Sequence, residues 1–255
     1  MKKTLIALFA LAGVAAADYD TTQLWSVDMS QNAYTPTNQK ATFDYKTQWS
    51  STDFTTLPGY VSNASGKISM EEGTAAGGLL LDSSFILTMD CRLSSVQNAN
   101  GTNTLIDVEK NADNHFYVYY DNSSSAVTLG SVGFSLSNSS SEGTFTLTDI
   151  TSVTLCYENK GAGAGLSVYV GTENGYTLAA TADVTSLPNS NGDYGFVKSI
   201  GLLNKMNNSN KVIGGVSSVS AYSVVSSPNV PEPTTATLSL LALAGLSARR
   251  RRASR

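Results

Sequence analysis

From Phe85 to Leu93 the chain alternates apolar and polar positions. Phe85, Leu87, Met89, Cys91 and Leu93 fall on one face, with Thr88, Asp90 and Arg92 on the other. Val153, Leu155 and Tyr157 repeat the pattern within Ser152–Glu158. A period of two with one apolar face marks a strand covered on one side by a second layer. Short runs rich in β-branched and aromatic residues, separated by Gly, Asn and Ser, recur along most of the chain. They predict strands at Leu24–Met29, Thr42–Lys46, Lys67–Met70, Gly78–Leu81, Phe85–Leu93, Thr104–Glu109 and His115–Asp121. Further strands are predicted at Ala126–Leu129, Thr144–Thr148, Ser152–Glu158, Leu166–Gly171, Tyr176–Thr181, Phe196–Leu203 and Val212–Val225. No long stretch has helical periodicity, and no repeat of 20–50 residues is visible, which excludes solenoids and propellers. The expected fold class is all-β, a two-sheet antiparallel sandwich. The glycine-rich Asn159–Gly165 reads as a hairpin loop between two of its strands.

The two ends break this pattern. Lys2-Lys3 precedes an apolar run, Leu5 to Val14, and then Ala15-Ala16-Ala17. That is the layout of a secretory signal peptide, with cleavage expected between Ala17 and Asp18. At the other end, Val230-Pro231-Glu232-Pro233 is followed by an apolar run, Thr237 to Leu246, and by Arg249-Arg250-Arg251-Arg252. The run is shorter than the roughly 20 residues of a full membrane span. The arginines would stay cytoplasmic. This three-part tail resembles the PEP-CTERM sorting signal of Gram-negative bacteria, which implies export machinery and an exosortase as partners. It implies anchoring in the inner membrane, in transit or permanently, then the outer surface or extracellular matrix. The expected organisation is a signal peptide over 1–17, one sandwich domain over 18–228 and a sorting tail over 229–255.

Charge narrows the function classes. The chain has a formal net charge of −4, but seven of its 16 basic residues lie in the targeting ends. The body keeps nine basic against nineteen acidic residues, a net charge of −10, with Arg92 its only arginine. Such a body lacks the basic stripe that nucleic acid requires, and it would not dock on anionic lipid. Two cysteines, Cys91 and Cys156, lie in predicted strands. Export allows a disulfide between them, and two separate thiols are equally open. Their spacing does not suit a zinc knuckle.

Part of the body resembles a known family. Phe85-Ile86-Leu87-Thr88-Met89 is similar to the opening strand of laminin-G-like, concanavalin-A-like jelly rolls. Val153-Thr154-Leu155-Cys156-Tyr157, a glycine-rich turn and Leu166-Ser167-Val168-Tyr169-Val170-Gly171 resemble the family's most recognisable hairpin. Val170 runs directly into Gly171, where the family has Asn or Asp before the glycine. Ile213-Gly214-Gly215-Val216, with Val219 and Tyr222, resembles the closing strand. The resemblance spans roughly Phe85 to Ser226. It implies a jelly-roll sandwich and, since many such domains bind glycans, some with calcium, a carbohydrate partner.

The residues that best suit such a partner lie in the hairpin Thr104–Asp121. With Lys110–Asn114 as its loop, Glu109 faces His115, Asp107 faces Tyr117 and Leu105 faces Tyr119. One face then carries Asp107, Glu109, His115, Tyr117 and Tyr119, and the other Ile106, Val108, Phe116, Val118 and Tyr120. Tyrosine rings stack on the apolar faces of sugars while carboxylates accept hydrogen bonds from hydroxyls. The same face also reads as an ordinary solvated sheet surface. Asp107, Glu109, Asn111 and Asp113 place oxygen donors at alternate positions, which opens a calcium reading. Ala112 and Val118 stand where an EF-hand needs Gly and Glu, so that motif is excluded.

Catalytic motifs are wanting. Retaining glucanases on this jelly roll carry Glu-x-Asp-x-x-Glu; aligned on Asp107, both glutamates are replaced, by Leu105 and Lys110. His115 is the only histidine, there is no Gly-x-Ser-x-Gly elbow, and Gly161–Gly165 lacks the Lys-Ser/Thr of a P-loop. The reading is a non-enzymatic surface or matrix protein that binds carbohydrate. A structural matrix component without a ligand comes second, and a glycan-cleaving hydrolase third. Mass spectrometry of the exported protein is expected to find Asp18 as its first residue; a retained Met1 would reject the cleavage site.

Overall fold

The computed structural model describes residues 20–28, 41–44, 61–62, 66–70, 79–96, 102–111, 113–186, 195, 197–203 and 212–225. The signal-peptide and sorting-tail residues lie outside them. Two antiparallel sheets form the fold. The larger contains β1 (Asp20–Asp28), β3 (Val61–Ser62), β5 (Phe85–Val96), β9 (Ser135–Ser141), β10 (Ser152–Asn159), β11 (Ala164–Thr172), β12 (Gly175–Ser186) and β14 (Val212–Val225). Its order is β1-β14-β5-β10-β11-β12-β9, with β3 on β14. The smaller holds β2 (Ala41–Asp44), β4 (Gly66–Met70), β6 (Thr102–Asn111), β7 (Asn114–Asp121), β8 (Ala126–Val132) and β13 (Ser199–Leu202). Its order is β2-β4-β13-β6-β7-β8. The chain crosses between sheets at each of its first five connections, from β8 to β9, and again on either side of β13, giving a jelly-roll sandwich. The strands belong to one unit, Thr21–Val224. Among the described residues no helix is long and apolar enough to cross a membrane.

The alternation read along the chain sets the core. Phe85, Leu87, Met89, Cys91 and Leu93 are buried on the inner face of β5, and Val153, Leu155 and Tyr157 beside them on β10. Ile106, Val108, Phe116, Val118, Val127, Leu129, Ile200 and Leu202 line the inner face of the smaller sheet. Tyr157 joins the two. Its ring stacks on Phe85 at 4.7 Å and on Phe116 of the opposite sheet at 6.0 Å. Its hydroxyl donates to the Leu81 carbonyl at 2.7 Å, which also accepts from Asn159 Nδ2 at 3.0 Å. A buried phenol needs such a partner, because an unpaired one costs roughly 1–3 kcal/mol.

Turn chemistry fits the sequence. After β7, Asp121 accepts from Ser123 N at 2.9 Å and from the Ser123 and Ser124 hydroxyls at 2.6 and 2.9 Å. These bonds hold its carboxyl below the ordinary carboxylate value. The glycine-rich loop is tighter than expected. Asn159 pairs with Ala164, so residues 160–163 make the turn, and Gly161 supplies its positive φ of 80°.

Three expectations need correction. Thr144–Thr148 is no strand. Phe145 and Leu147 are buried, and the segment ends in a 3₁₀ turn, Leu147–Asp149. An apolar alternation that plugs the core reads the same as one in a sheet. Gly78–Leu81 is not a full strand either; of it, Leu79–Leu81 is described, with only an isolated bridge at Leu80. Strand β9, Ser-Leu-Ser-Asn-Ser-Ser-Ser, has no strand propensity and was not expected. It is an edge strand held by β12, with Asn138 Nδ2 on Asp183 at 2.9 Å and Ser140 on Thr181 at 2.8 Å.

The cysteines are two free thiols. Cys156 pairs in register with Ile86, five positions from Cys91 on β5, a run of about 17 Å at strand rise. They also sit on opposite faces of the sheet, too far apart for a disulfide. Burial pushes the Cys156 thiol up to about 12 and raises Cys91 further. Leu155→Ala, at a fully buried position, is expected to lower unfolding stability by about 2–5 kcal/mol. Chemical denaturation checks this; a loss below about 1 kcal/mol would contradict the packing described.

Candidate functional site

The outer face of the smaller sheet brings together the five residues expected there. Register pairs Glu109 with His115 and Asp107 with Tyr117, as the hairpin reading required. Strand β7 continues the rows into β8, with Tyr117 opposite Gly130 and Tyr119 opposite Thr128. Strand β13 extends them on the other side, with Ser199 opposite Glu109 and Gly201 opposite Asp107.

Two details of the hairpin differ from expectation. The strands run on to Asn111 and Asn114, so the turn is shorter than Lys110–Asn114, and a register shift lies between Glu109 and Asn111. A second shift between Thr104 and Ile106 sets Thr104, not Leu105, opposite Tyr119, and Leu105 is buried in the core. Bulges of this kind re-aim side chains near the end of a strand. Leu105 therefore leaves the polar face, and the buried Thr104 takes its place.

The tyrosines form a ladder along β7. Tyr117 lies 5.7 Å from Tyr119 and 5.8 Å from His115, ring centroid to centroid, with tilts of 47° and 35°. Tyr117 extends across Gly130: a Cβ there would stand 2.5 Å from its Cε2 and 2.8 Å from its hydroxyl. Glycine at 130 thus allows the ring to lie against the sheet, a role the sequence pattern did not disclose. Both phenols are half-buried. Their pKa values are raised, chiefly by burial. For Tyr117 the charges of Tyr119 and Asp107 add to this; for Tyr119, Asp121 adds and a hydrogen bond with Thr128 opposes.

The carboxylates are already engaged. Asp107 and His115, each 4 % exposed, are joined by Nδ1 and Oδ1 at 2.8 Å. This bond orients the imidazole, and the pair sits beside the ladder rather than on its accessible surface. Glu109 accepts a short hydrogen bond from the Ser199 hydroxyl. A cation on this segment would have to draw Asp107 and Glu109 from those partners. Among the described residues no three His, Cys, Asp or Glu side chains converge as ligands. Asp113 is exposed in the turn, and the side chain of Asn111 lies outside the described residues.

A second feature was not foreseen. At one end of the larger sheet, a cleft of about 430 Å³ lies between Arg92, the segment Thr148–Thr151 and the turn Thr172–Asn174. No sequence motif joins these three stretches.

No protein-family model matches the chain, and no curated protein matches it. Among solved structures it is similar to domain 4 of the extracellular arabinanase AbnA from Geobacillus stearothermophilus, in complex with arabinotriose. That match has 12 % identity and a TM-score of 0.44, and covers 82 % of this chain and 95 % of the other. It is similar to the CBM40 of the Ruminococcus gnavus IT-sialidase bound to α2,6 sialyllactose, at 16 % identity and a TM-score of 0.32. There 61 % of this chain and 89 % of the other are covered. A marine alginate lyase from Aplysia kurodai matches at 10 % identity and a TM-score of 0.38, over 81 % of this chain and all of the other.

The geometry generates a test that separates the site from the fold. Gly130→Ala is expected to swing the Tyr117 ring off the sheet, changing near-ultraviolet circular dichroism. Because only the end of one side chain must move, stability should change by no more than about 1 kcal/mol. An unchanged spectrum would show that the ring does not rest on Gly130.

Proposed function

We propose that this chain is an exported surface or matrix protein whose sandwich binds carbohydrate without cleaving it, on the outer face of the smaller sheet. The observation that carries this reading is the Tyr117–Tyr119 ladder, half-buried and laid against Gly130. Two adjacent rings held along a strand offer apolar surface to the faces of successive sugars. Glu109, anchored by Ser199, supplies an acceptor at the edge. The Asp107–His115 pair keeps the imidazole beside Tyr117 in a fixed orientation.

A binding role suits this face better than hydrolysis. Glycosidases need two carboxyl groups flanking the scissile bond, one acting as proton donor. Here Asp107 is committed to His115 and Glu109 to Ser199, and Leu105 and Lys110 stand where the glutamates of a retaining jelly-roll glucanase would be. The net charge of −10 on the body and the neutral aromatic face favour uncharged polysaccharide over nucleic acid or anionic lipid. The resemblance of Val230–Pro233 with Arg249–Arg252 to a sorting signal supports an exosortase route to the outer surface or matrix and an exopolysaccharide partner.

Affinity electrophoresis of the exported protein through polysaccharide gels tests the reading, with calcium and with chelator. Retardation by at least one polysaccharide is expected in both conditions. Tyr117→Ala and Tyr119→Ala should each weaken it by about tenfold, the loss of roughly 1–2 kcal/mol of stacking. Retardation unchanged by both substitutions would move the binding elsewhere. Absence of retardation would leave a structural matrix role.

A further inference from the structure

We propose that the cleft beside Arg92 is a second carbohydrate site, selective for neutral saccharide, on the opposite sheet from the tyrosine ladder. The cleft exists because adjacent strands end at different heights. Strand β5 runs on to Val96, whereas β10 begins only at Ser152, opposite Asp90. Beyond that point the chain enters through Ile150 and Thr151 instead of a strand. Cys91 N donates to the Thr151 carbonyl at 2.9 Å, and Thr151 N to the Gly171 carbonyl at 2.8 Å. The 3₁₀ turn before them is closed by Asp149 N on Thr146 at 3.0 Å and Ile150 N on Leu147 at 3.3 Å. On the far rim, Asn174 N donates to Thr172 Oγ1 at 3.2 Å. The walls are thus fixed by backbone bonds, as a preformed site requires.

Among the described residues the charged side chains on the rim form no ion pair with one another or with a neighbour. Arg92, Asp149 and Glu173 are all exposed, although they line one cleft of about 430 Å³. A guanidinium that could have neutralised a carboxylate instead stands apart from both. A sugar hydroxyl both donates and accepts, so one saccharide engages all three groups. Its hydroxyls donate to Asp149 and Glu173, and its oxygens accept from Arg92 and the Asn174 side-chain amide. Tyr176 adds an aromatic surface next to the rim. It is 52 % exposed, and its Cε1 lies 3.0 Å from where a Cβ on Gly171 would stand.

Charge selects the class of ligand. The three groups sum to −1 on a body of −10, which disfavours a polyanion; the guanidinium inside the cleft disfavours a simple cation. Uncharged saccharide remains. This site stands on its own residues. Together with the ladder, and so resting on the proposed function, it gives each chain two glycan sites, one on each sheet. A single molecule would then bridge two polysaccharide strands and gain avidity from both.

The test is calorimetric titration of the full chain in mild detergent with neutral arabino-, galacto-, manno- and gluco-oligosaccharides, and with alginate oligosaccharide as the acidic probe, at low and high salt. Two neutral ligands per chain are expected, with little salt dependence. Arg92→Ala and Glu173→Gln, both at exposed positions, should weaken one site by about tenfold and leave the other unchanged. Tyr117→Ala should do the reverse. One ligand per chain, lost with Tyr117→Ala and indifferent to Arg92 and Glu173, would overturn the cleft site and keep the ladder. One ligand lost only with the cleft variants would support the cleft and overturn the ladder. Preference for alginate that fades with salt would overturn the neutral class, and no heat with any probe would overturn both sites.

Discussion

The stack of Phe85, Tyr157 and Phe116 is the contact on which the rest of the structure depends. It crosses from one sheet to the other, with Tyr157 between an aromatic on its own sheet and one on the facing sheet. Phe134 closes the cluster edge-on against Phe116 at 5.9 Å. Phe116 is the inward residue between His115 and Tyr117. Because successive side chains on a strand point to opposite faces, anchoring Phe116 inward aims His115 and Tyr117 outward. A one-residue slip of β7 would place Tyr117 in the core and lose the stack. The core thereby fixes the register of the surface ladder.

The two sheets solve different problems around these sites. On the smaller sheet, polar groups satisfy each other: Asp107 with His115, Glu109 with Ser199. Beside them lie the half-buried Tyr117 and Tyr119 rings. On the larger sheet, the charged groups of the cleft form no ion pair among the described residues and are exposed to water. Unpaired surface charges cost little because water solvates them, whereas the buried Asp107–His115 pair would be costly to break. A face built from committed polar groups and half-buried rings suits stacking. A cleft built from exposed polar groups suits hydrogen bonding. Both are ways to hold a sugar, which has apolar faces and a polar rim.

Legibility from sequence followed physical range. The strands of the core were visible because burial on one side imposes a period of two over five or more residues. The Glu109–His115 and Asp107–Tyr117 pairs were visible because a hairpin turn fixes local register. Strand β9 was hidden: its serines have no preference for a strand, and it exists because β12 offers it a hydrogen-bonding edge. Thr144–Thr148 misled because Phe145 and Leu147 are buried by a plug, which leaves the same apolar spacing as a sheet. Gly130 gave no signal, since a lone glycine in a strand says nothing of which ring crosses it.

By itself the sequence determined the all-β class, the inward set of each long strand, the polar face of the hairpin and the charge balance of the body. These are local properties: side-chain period, turn composition and net charge need no knowledge of distant neighbours. Only the tertiary structure decided the rest. It bonded Asp107 to His115, kept Cys91 and Cys156 apart on opposite faces, and laid Tyr117 on Gly130. It also gathered Arg92, Asp149 and Glu173 around one cleft from segments more than 50 residues apart at the first step. Such contacts follow from strand order and from where each strand stops, which long-range packing sets and no local pattern encodes.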